Sequence, residues 1–583
     1  MTPPRALAIP TLCLLGLCSA GGEAAPEAGA AEPGRASETV IELLELGSDL
    51  VADDRMPLRT TSSAESKHLV QAGAGAVEIF LLAPPRSRLV AGIAQSTPSS
   101  QFSVEVVSDD GSKTLVGERK ADEWQASLEP FSGRPIKLRF VNRGSATLTW
   151  EHPRVIGTCA EAASILELGP VREKRPLNVV LYLIDTLRAD RLSFQGYARK
   201  TSPRMDALAA RSIVFTNAYS PGSYTLPSVT SLFGSRFPSA LNGRLTPGEI
   251  VPETLTESFR KAGYATAAFQ ANSLVKSITT HHERGFDVYR AFPMTGKSPK
   301  QGFVAASTLH RSALHWVRKH AAAPFFLYLQ SMDVHGPHPA PEPWEQKFVG
   351  EAPVPGPVGL AHKPVSTKLS DRYDGRLAYQ DHEIGRLLAR LRNMQLAHDT
   401  AIIVTSDHGE PLGERGHILH GHSLFEELVH IPLIMDLPGE PPRRIADVVS
   451  LMDLGPTILD IAGIPKPDGL VGHSMLEPRA CTTPATAYGE LMRPKTLEIH
   501  GWYVRQGEWK LIMNRKGEKL FHLPTDPTED SDKSDQYPVT TGYLAALARA
   551  NSPALQSGAT QPPMSPEEAR KMEEELRAIG YID

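Results

Sequence analysis

Residues 178–190 read NVVLYLIDTLRAD, and the change of character at position 185 decides the fold. An almost wholly apolar run of this length fits a strand buried on both faces, which a parallel sheet covered by helices supplies. Asp185 then stands where open α/β sheets bind their ligands, beyond the carboxyl end of a strand. The texture recurs downstream. Residues 252–262 carry Pro252 at the start, Arg260 and Lys261 near the end and Gly263 after it, which is the punctuation of a helix. Residues 264–269, 325–330 and 401–405 read as further strands. Between the last two, Tyr373, Leu377, Ile384, Leu387, Leu388, Leu391 and Met394 recur at helical spacing. Repeated βαβ units predict an α/β fold over 175–475, a mostly parallel sheet flanked by helices.

Working outward, 583 residues at about 150 per domain leave room for two to four domains. Residues 66–165 alternate over short stretches at 76–82, 89–93, 102–107, 114–116, 136–141 and 146–150, with Asp109-Asp110-Gly111 as a hairpin signal, and predict a β-sandwich. Its Trp124 and Trp150 read as core rather than as sugar platforms. Residues 480–583 predict a small α+β subdomain, with antiparallel strands at 502–505, 510–514 and 518–522 and a last helix over 566–577. Residues 23–65 read as a tether or linker.

The first 22 residues read as an export signal. Arg5 precedes an apolar run over 6–18, too short for the ~20 residues of a membrane-spanning helix, and Ser19, Ala20, Gly21 and Gly22 supply small residues for cleavage. The expected location is periplasmic or extracellular. Cys18, after Leu14-Leu15-Gly16-Leu17, offers lipoprotein processing as the alternative and with it the one foreseen membrane contact. Past the signal, Cys159 and Cys481 fit either a disulfide or two buried thiols. Lys plus Arg total 61 against 66 Asp plus Glu, for a net charge of −5, which excludes the basic footprint of a nucleic-acid binder.

The chemistry gathers at strand ends. Asp185 follows the first strand, Thr225 opens a stretch whose Pro227 suits a first helical turn, and Asp407 and His408 follow the strand over 401–405. Two carboxylates, a hydroxyl and an imidazole make an oxygen-rich site for a divalent ion with one nitrogen ligand, without separating Ca, Mg, Mn or Zn. A threonine hydroxyl is a feeble nucleophile, and coordination is one of the few ways to make it an alkoxide at neutral pH. Singly, Asp185 could cap a helix, Thr225 could be an N-cap and His408 could occupy a turn. Together, Asp185, Thr225, Asp407 and His408 read as a metal site.

These residues and their surroundings carry a resemblance. Residues 178–197, 223–233, Met332-Asp333-Val334-His335-Gly336-Pro337, 405–410 with Leu412-Gly413-Glu414, and 420–427 resemble the sulfatase family of the alkaline phosphatase superfamily. Met452-Asp453-Leu454-Gly455-Pro456-Thr457, Gly507-Glu508-Trp509-Lys510 and Asp526-Pro527 extend it. The resemblance implies an alkaline-phosphatase-like fold, Thr225 as nucleophile, metal ligation by Asp185, Asp407 and His408, and a substrate-facing or leaving-group role for His335. His420, preferred over His422, takes the place of a further imidazole near the departing group in phosphoethanolamine transferases. Phosphatase relatives bind a second metal through these two regions, so a second ion is compatible with the sequence. Asn272, His335 and His422 are the expected substrate-binding residues.

The departures are informative. Sulfatases proper oxidise Cys or Ser in a Cys/Ser-x-Pro-x-Arg signature to formylglycine. Here the run is Thr225-Leu226-Pro227-Ser228-Val229, and oxidation of a threonine would give a ketone, so no formylglycine is expected. The family's sulfate-gripping Gly-Lys pair is absent, and Thr186 replaces the second Asp of the usual Asp-Asp pair. A threonine ester must be cleaved by water or a second acceptor. The expectation is therefore a metal-dependent hydrolase acting through threonine on a phosphate ester, a phosphonate ester or a sulfate ester of a small molecule, glycan or lipid headgroup. The rivals are a phosphoethanolamine-type transferase of the cell envelope and an inactive sulfatase-like binding protein.

Overall fold

The structure is a computed structural model. It describes residues 37–43 and most of 59–557, the larger gaps being 96–101, 144–147, 170–175, 242–252, 276–279, 293–303, 352–366 and 480–483, together with 567, 570, 573 and 574. The expected export signal, Pro252 and Cys481 lie outside the described residues, as does most of the expected helix over 566–577, whose four described positions are helical. No described helix is long and apolar enough to cross a membrane. The chain divides into two units, each with its own core.

In the larger unit, the sheet contains β1 (Asn178–Ile184), β2 (Ile213–Tyr219), β3 (Ala265–Gln270), β4 (Val288–Ala291), β5 (Phe325–Ser331), β6 (Thr400–Thr405), β7 (His430–Asp436) and β8 (Arg443–Ser450). Their order is β4-β3-β5-β1-β6-β7-β2-β8, parallel except for β7, which runs against β6 and β2. Every residue of β1, β5 and β6 is buried. Val179, Leu181 and Leu183 enter one apolar cluster while Val180, Tyr182 and Ile184 enter another, because successive side chains point to opposite faces. The flanking helices include α1 (Thr225–Gly234), α2 (Leu255–Lys261), α3 (Ala306–His320), α4 (Thr367–Asn393) and α5 (Leu451–Ala462). Thr254 and Glu257 close a capping box on α2, so that helix begins at Leu255 rather than at Pro252.

Register levels the strand ends. Ile184 pairs with Ser331, Leu183 with Thr405 and Gln270 with Gln330, so β1, β6, β5 and β3 finish along one edge. The same unit holds an antiparallel sheet of Thr486–Met492, Ile499–Gln506, Trp509–Asn514 and Gly517–His522.

The smaller unit is a β-sandwich of a seven-stranded and a four-stranded antiparallel sheet. Pro135–Asn142 shows the cause: Ile136, Leu138 and Phe140 are buried and alternate with more accessible neighbours. Trp150 is buried edge-on to Phe102 and Phe140, with ring centroids 5.2 and 4.9 Å away. Asp109 and Asp110 form the turn between Phe102–Ser108 and Gly111–Leu115. Two boundaries need correction. Ser37–Glu42 and Arg59–Ser63 are strands of the seven-stranded sheet, so 23–65 is not all tether. Pro538–Asn551, counted with the carboxyl subdomain, belongs to the sandwich unit, where Asp109 accepts from the amides of Val539 and Thr540 at its first turn.

Candidate active site

Asp185 leaves the end of β1 with its amide donating to the Ser331 carbonyl at 3.0 Å. Thr186 then takes a left-handed backbone conformation, φ 59°, an uncommon one for a β-branched residue. This turn aims the Thr186 amide at Asp407 Oδ1, 3.3 Å away, and the Tyr373 hydroxyl holds the Thr186 carbonyl at 2.8 Å. Asp407 Oδ1 also accepts from the His408 amide at 3.0 Å. Gly409 permits the tight exit that follows, since a Cβ there would come within 2.1 Å of the Glu427 carbonyl oxygen.

Thr225 is the first residue of α1, following Tyr224 in extended conformation, so its hydroxyl lies at the positive end of the helix dipole. Its Oγ1 is 3.2 Å from Asp185 Oδ2 and 3.4 Å from His408 Nε2. Asn272, just beyond β3, donates from Nδ2 to both Asp185 Oδ2 at 2.7 Å and Thr225 Oγ1 at 3.0 Å. Gln330, within β5, adds a donor to Asp185 Oδ2 at 3.2 Å. Asn272, expected among substrate-binding residues, therefore touches the hydroxyl and carboxylate of the cluster directly.

The donor set fits a cation. Asp185 Oδ1 and Asp407 Oδ2 are buried with no hydrogen-bond partner among the described residues, and they lie 3.7 and 3.6 Å from His408 Nε2. Burial and then the Asp407 charge push Asp185 up to about 8, and burial pushes Asp407 up to about 7. Two carboxylates forced together in a dry site favour either protons or a cation. His408 Nδ1 donates to the Gly409 carbonyl at 2.8 Å, which assigns the lone pair to Nε2, the nitrogen facing Thr225. Asp185, Asp407 and His408 bring ligand atoms within 4.8 Å of one another.

A second cluster adjoins the first. Ligand atoms of His335, Glu410 and His420 also lie within 4.8 Å of one another, and the His420 ring is 4.5 Å from that of His408 and 5.0 Å from that of His335. Burial holds His335 down to about 3 and His420 well below the usual imidazole range, so both rings are neutral as they stand. His335 Nδ1 bonds to the Gly336 carbonyl and His420 Nδ1 to Glu410 Oε1, the latter at 2.8 Å. His422 is not in this cluster. It packs against His417, with ring centroids 3.9 Å apart and ring planes tilted by 36°.

Glu410 and Gln330 were missed as site residues. Gln330 left a trace, a polar residue near the end of an apolar strand. Glu410 left none beyond its place in the 405–410 motif, because its partner His420 lies across a loop without periodicity.

Comparison with known proteins agrees with this architecture. Residues 177–464 match the family model for sulfatases, and residues 413–541 match that for the carboxyl-terminal region of N-sulphoglucosamine sulphohydrolase. Arylsulfatase K of Bos taurus is 26% identical over 437 residues, 63% of this chain and 80% of its own length. Among solved structures, the phosphonate monoester hydrolase of Agrobacterium radiobacter aligns with a TM-score of 0.53 at 18% identity, covering 67% of this chain and 99% of that one. Ps i-CgsB in complex with k-i-k-neocarrahexaose aligns with a TM-score of 0.53 at 20% identity, covering 69% and 98%. At these identities the two structures speak for the fold alone. The sheet, the order of the motifs and the two matched models agree: the chain belongs to the sulfatase family and is an ester hydrolase.

Proposed function

We propose that Thr225 is the covalent nucleophile of a metal-dependent esterase, with Asp185, Thr225, Asp407 and His408 as metal ligands and His335 and His420 at the departing group. The observation that carries this reading is the placement of Thr225 Oγ1 at 3.2 Å from Asp185 Oδ2, 3.0 Å from Asn272 Nδ2 and 3.4 Å from His408 Nε2. A divalent cation held there would lower the pKa of the hydroxyl and screen the charge of a tetrahedral oxyanion. Asn272 donates to the attacking oxygen and keeps it aimed. In the first step the Thr225 hydroxyl gives its proton to an imidazole Nε2 as its oxygen bonds to the central atom, and the same Nε2 passes that proton to the departing oxygen as the ester bond breaks. In the second, water attacks the central atom and loses a proton to Nε2, which returns it to the Thr225 oxygen as the bond to Thr225 breaks.

The substrate class proposed is a phosphate or phosphonate ester ahead of a sulfate ester. A formylglycine hydrate expels sulfate by collapsing to its aldehyde, whereas a threonine ester needs a second displacement. Among relatives, the phosphonate monoester hydrolase shares the fold and arylsulfatase K the sequence, so both classes belong in the test. Purified protein should be screened with each divalent metal against an aryl sulfate, phosphate monoester, phosphodiester and phosphonate monoester. Thr225→Ala should abolish turnover of the preferred ester with the fold intact. Undiminished turnover in that variant overturns the assignment.

A second ion is a further reading, favoured by the cluster of His335, Glu410 and His420. Metal content of one or of two equivalents per chain separates the cases. Release of free acid, rather than transfer of label to a sugar or lipid acceptor, separates hydrolysis from the transferase rival.

A further inference from the structure

Glu410 is buried with both carboxylate oxygens engaged. Oε1 accepts from His420 Nδ1 at 2.8 Å and Oε2 accepts from the Gly336 amide at 3.2 Å. The Arg188 guanidinium holds the Glu410 carbonyl at 2.9 Å, which fixes the backbone of the same residue. A second buried cation, Arg376, stands close by. A Cβ placed on Gly336 would lie 3.2 Å from Arg376 Nη1 and 3.6 Å from Glu410 Oε2. An acceptor-only carboxylate against Nδ1 leaves the lone pair of His420 on Nε2, the far side of the ring.

We infer that Glu410 is a positioning residue: by holding the Nδ1–H of His420 it fixes the ring and its tautomer so that Nε2 faces the departing group. This rests on the reading of His420 given above. The saturation of both Glu410 oxygens by N–H donors favours orientation over direct metal ligation by this carboxylate. The arrangement resembles the base–orienter pairs of hydrolytic triads, in which the carboxylate acts through the imidazole.

The decisive variant is Glu410→Gln. The Gly336 amide is a donor, so the glutamine oxygen must turn towards it, and the NH₂ then faces His420 and donates to Nδ1. The His420 proton is thereby forced onto Nε2. With ¹⁵N-histidine labelling and assignment by loss of the signal in His420→Gln, NMR should show an Nδ1–H ring in the starting protein and an Nε2–H ring in Glu410→Gln. Thr225→Ala protein, without turnover, should give the Nδ1–H pattern too, so failure of the nucleophile assignment and failure of this one remain distinguishable.

Kinetics supply the second readout. Glu410→Gln should lower kcat by about 10³-fold or more for an ester with a poor alkyl leaving group and by less than about tenfold for a nitrophenyl ester, which needs no proton. Adding it to His420→Ala should cost nothing further. Should Glu410→Gln prove unstable, Glu410→Asp, which keeps the acceptor, should retain the Nδ1–H tautomer and part of the activity. An unchanged tautomer in folded Glu410→Gln, equal losses for both leaving groups, or loss of one equivalent of bound metal would each overturn the inference.

Discussion

Asn272 gives both amide hydrogens to oxygens of the site and accepts the Leu274 amide at 2.8 Å on its own oxygen, so its side chain has one orientation. Asn272→Ala removes a donor from the attacking oxygen and should cost about 10²–10³-fold in kcat, the range seen when a single preorganised donor is deleted, with a smaller change in KM. Steady-state kinetics on the preferred ester measure this. Asp185 and Asp407 give a pH signature in the metal-free protein. Their folded pKa values are raised to about 8 and about 7 from 3.8, so the folded state keeps protons that the unfolded chain releases. The stability this contributes is complete below about pH 4 and is lost as pH rises through 7 and 8. Urea midpoints of chelator-treated protein should fall across that window, and Asp185→Asn should flatten the fall. At this scale the sequence named Asp185, Thr225, Asp407 and His408 because they flank strand and helix ends, where position follows from the fold. It preferred His420 to His422 through the resemblance alone, because the loop geometry that puts one ring against Glu410 and the other against His417 has no local signature.

Among elements, β1, β5 and β6 were legible because burial on both faces leaves no alternative to an apolar run, and the sandwich strands because burial on one face imposes alternation. Ser37–Glu42 was not legible, since it pairs with Leu148–Cys159 and nothing local announces so distant a partner. Pro538–Asn551 was assigned to the wrong unit for the same reason. Its first-turn amides are satisfied by Asp109, and Gly542 lies against the Phe80 ring. Asp109→Ala should therefore lower the stability of the sandwich unit by about 1 kcal/mol, the usual worth of a helix cap, while leaving turnover unchanged. Thermal unfolding followed by tryptophan fluorescence checks this. A harsher case lies in the antiparallel sheet of the larger unit. Lys510 is wholly buried, with Nζ 2.8 Å from Glu426 and 2.9 Å from Glu529. Lys510→Met would leave two buried carboxylates without their cation and should destabilise that unit by about 3–5 kcal/mol, read from the shift in denaturation midpoint.

Taken whole, the proposed reading assigns to a bound ion the relief of the repulsion between Asp185 and Asp407. Chelation should abolish turnover and lower the melting temperature, and a metal at 100 times its Kd should restore about 2.7 kcal/mol of stability. Calorimetry with and without added metal measures both. The family and its reaction type were legible because ordered motifs mark the edge of the sheet. The ester itself was not, since sulfate and phosphate groups present similar tetrahedra to the same side chains. The reversed direction of β7 has a further consequence. In a wholly parallel sheet the chain leaving β6 would have to return to the opposite edge before re-entering. Here it re-enters from the edge it left, so residues 406–429 begin and end at the edge that carries Asp185, Asp407 and His408. Arg188 pins the start of that excursion through the Glu410 carbonyl and Glu414. Between Glu414 and His420 lie the exposed residues 415–419, where length can vary at least cost: doubling such a segment costs only about 0.6 kcal/mol in closure entropy, so evolution or an engineer can change the reach of this loop while the strand order stays as it is.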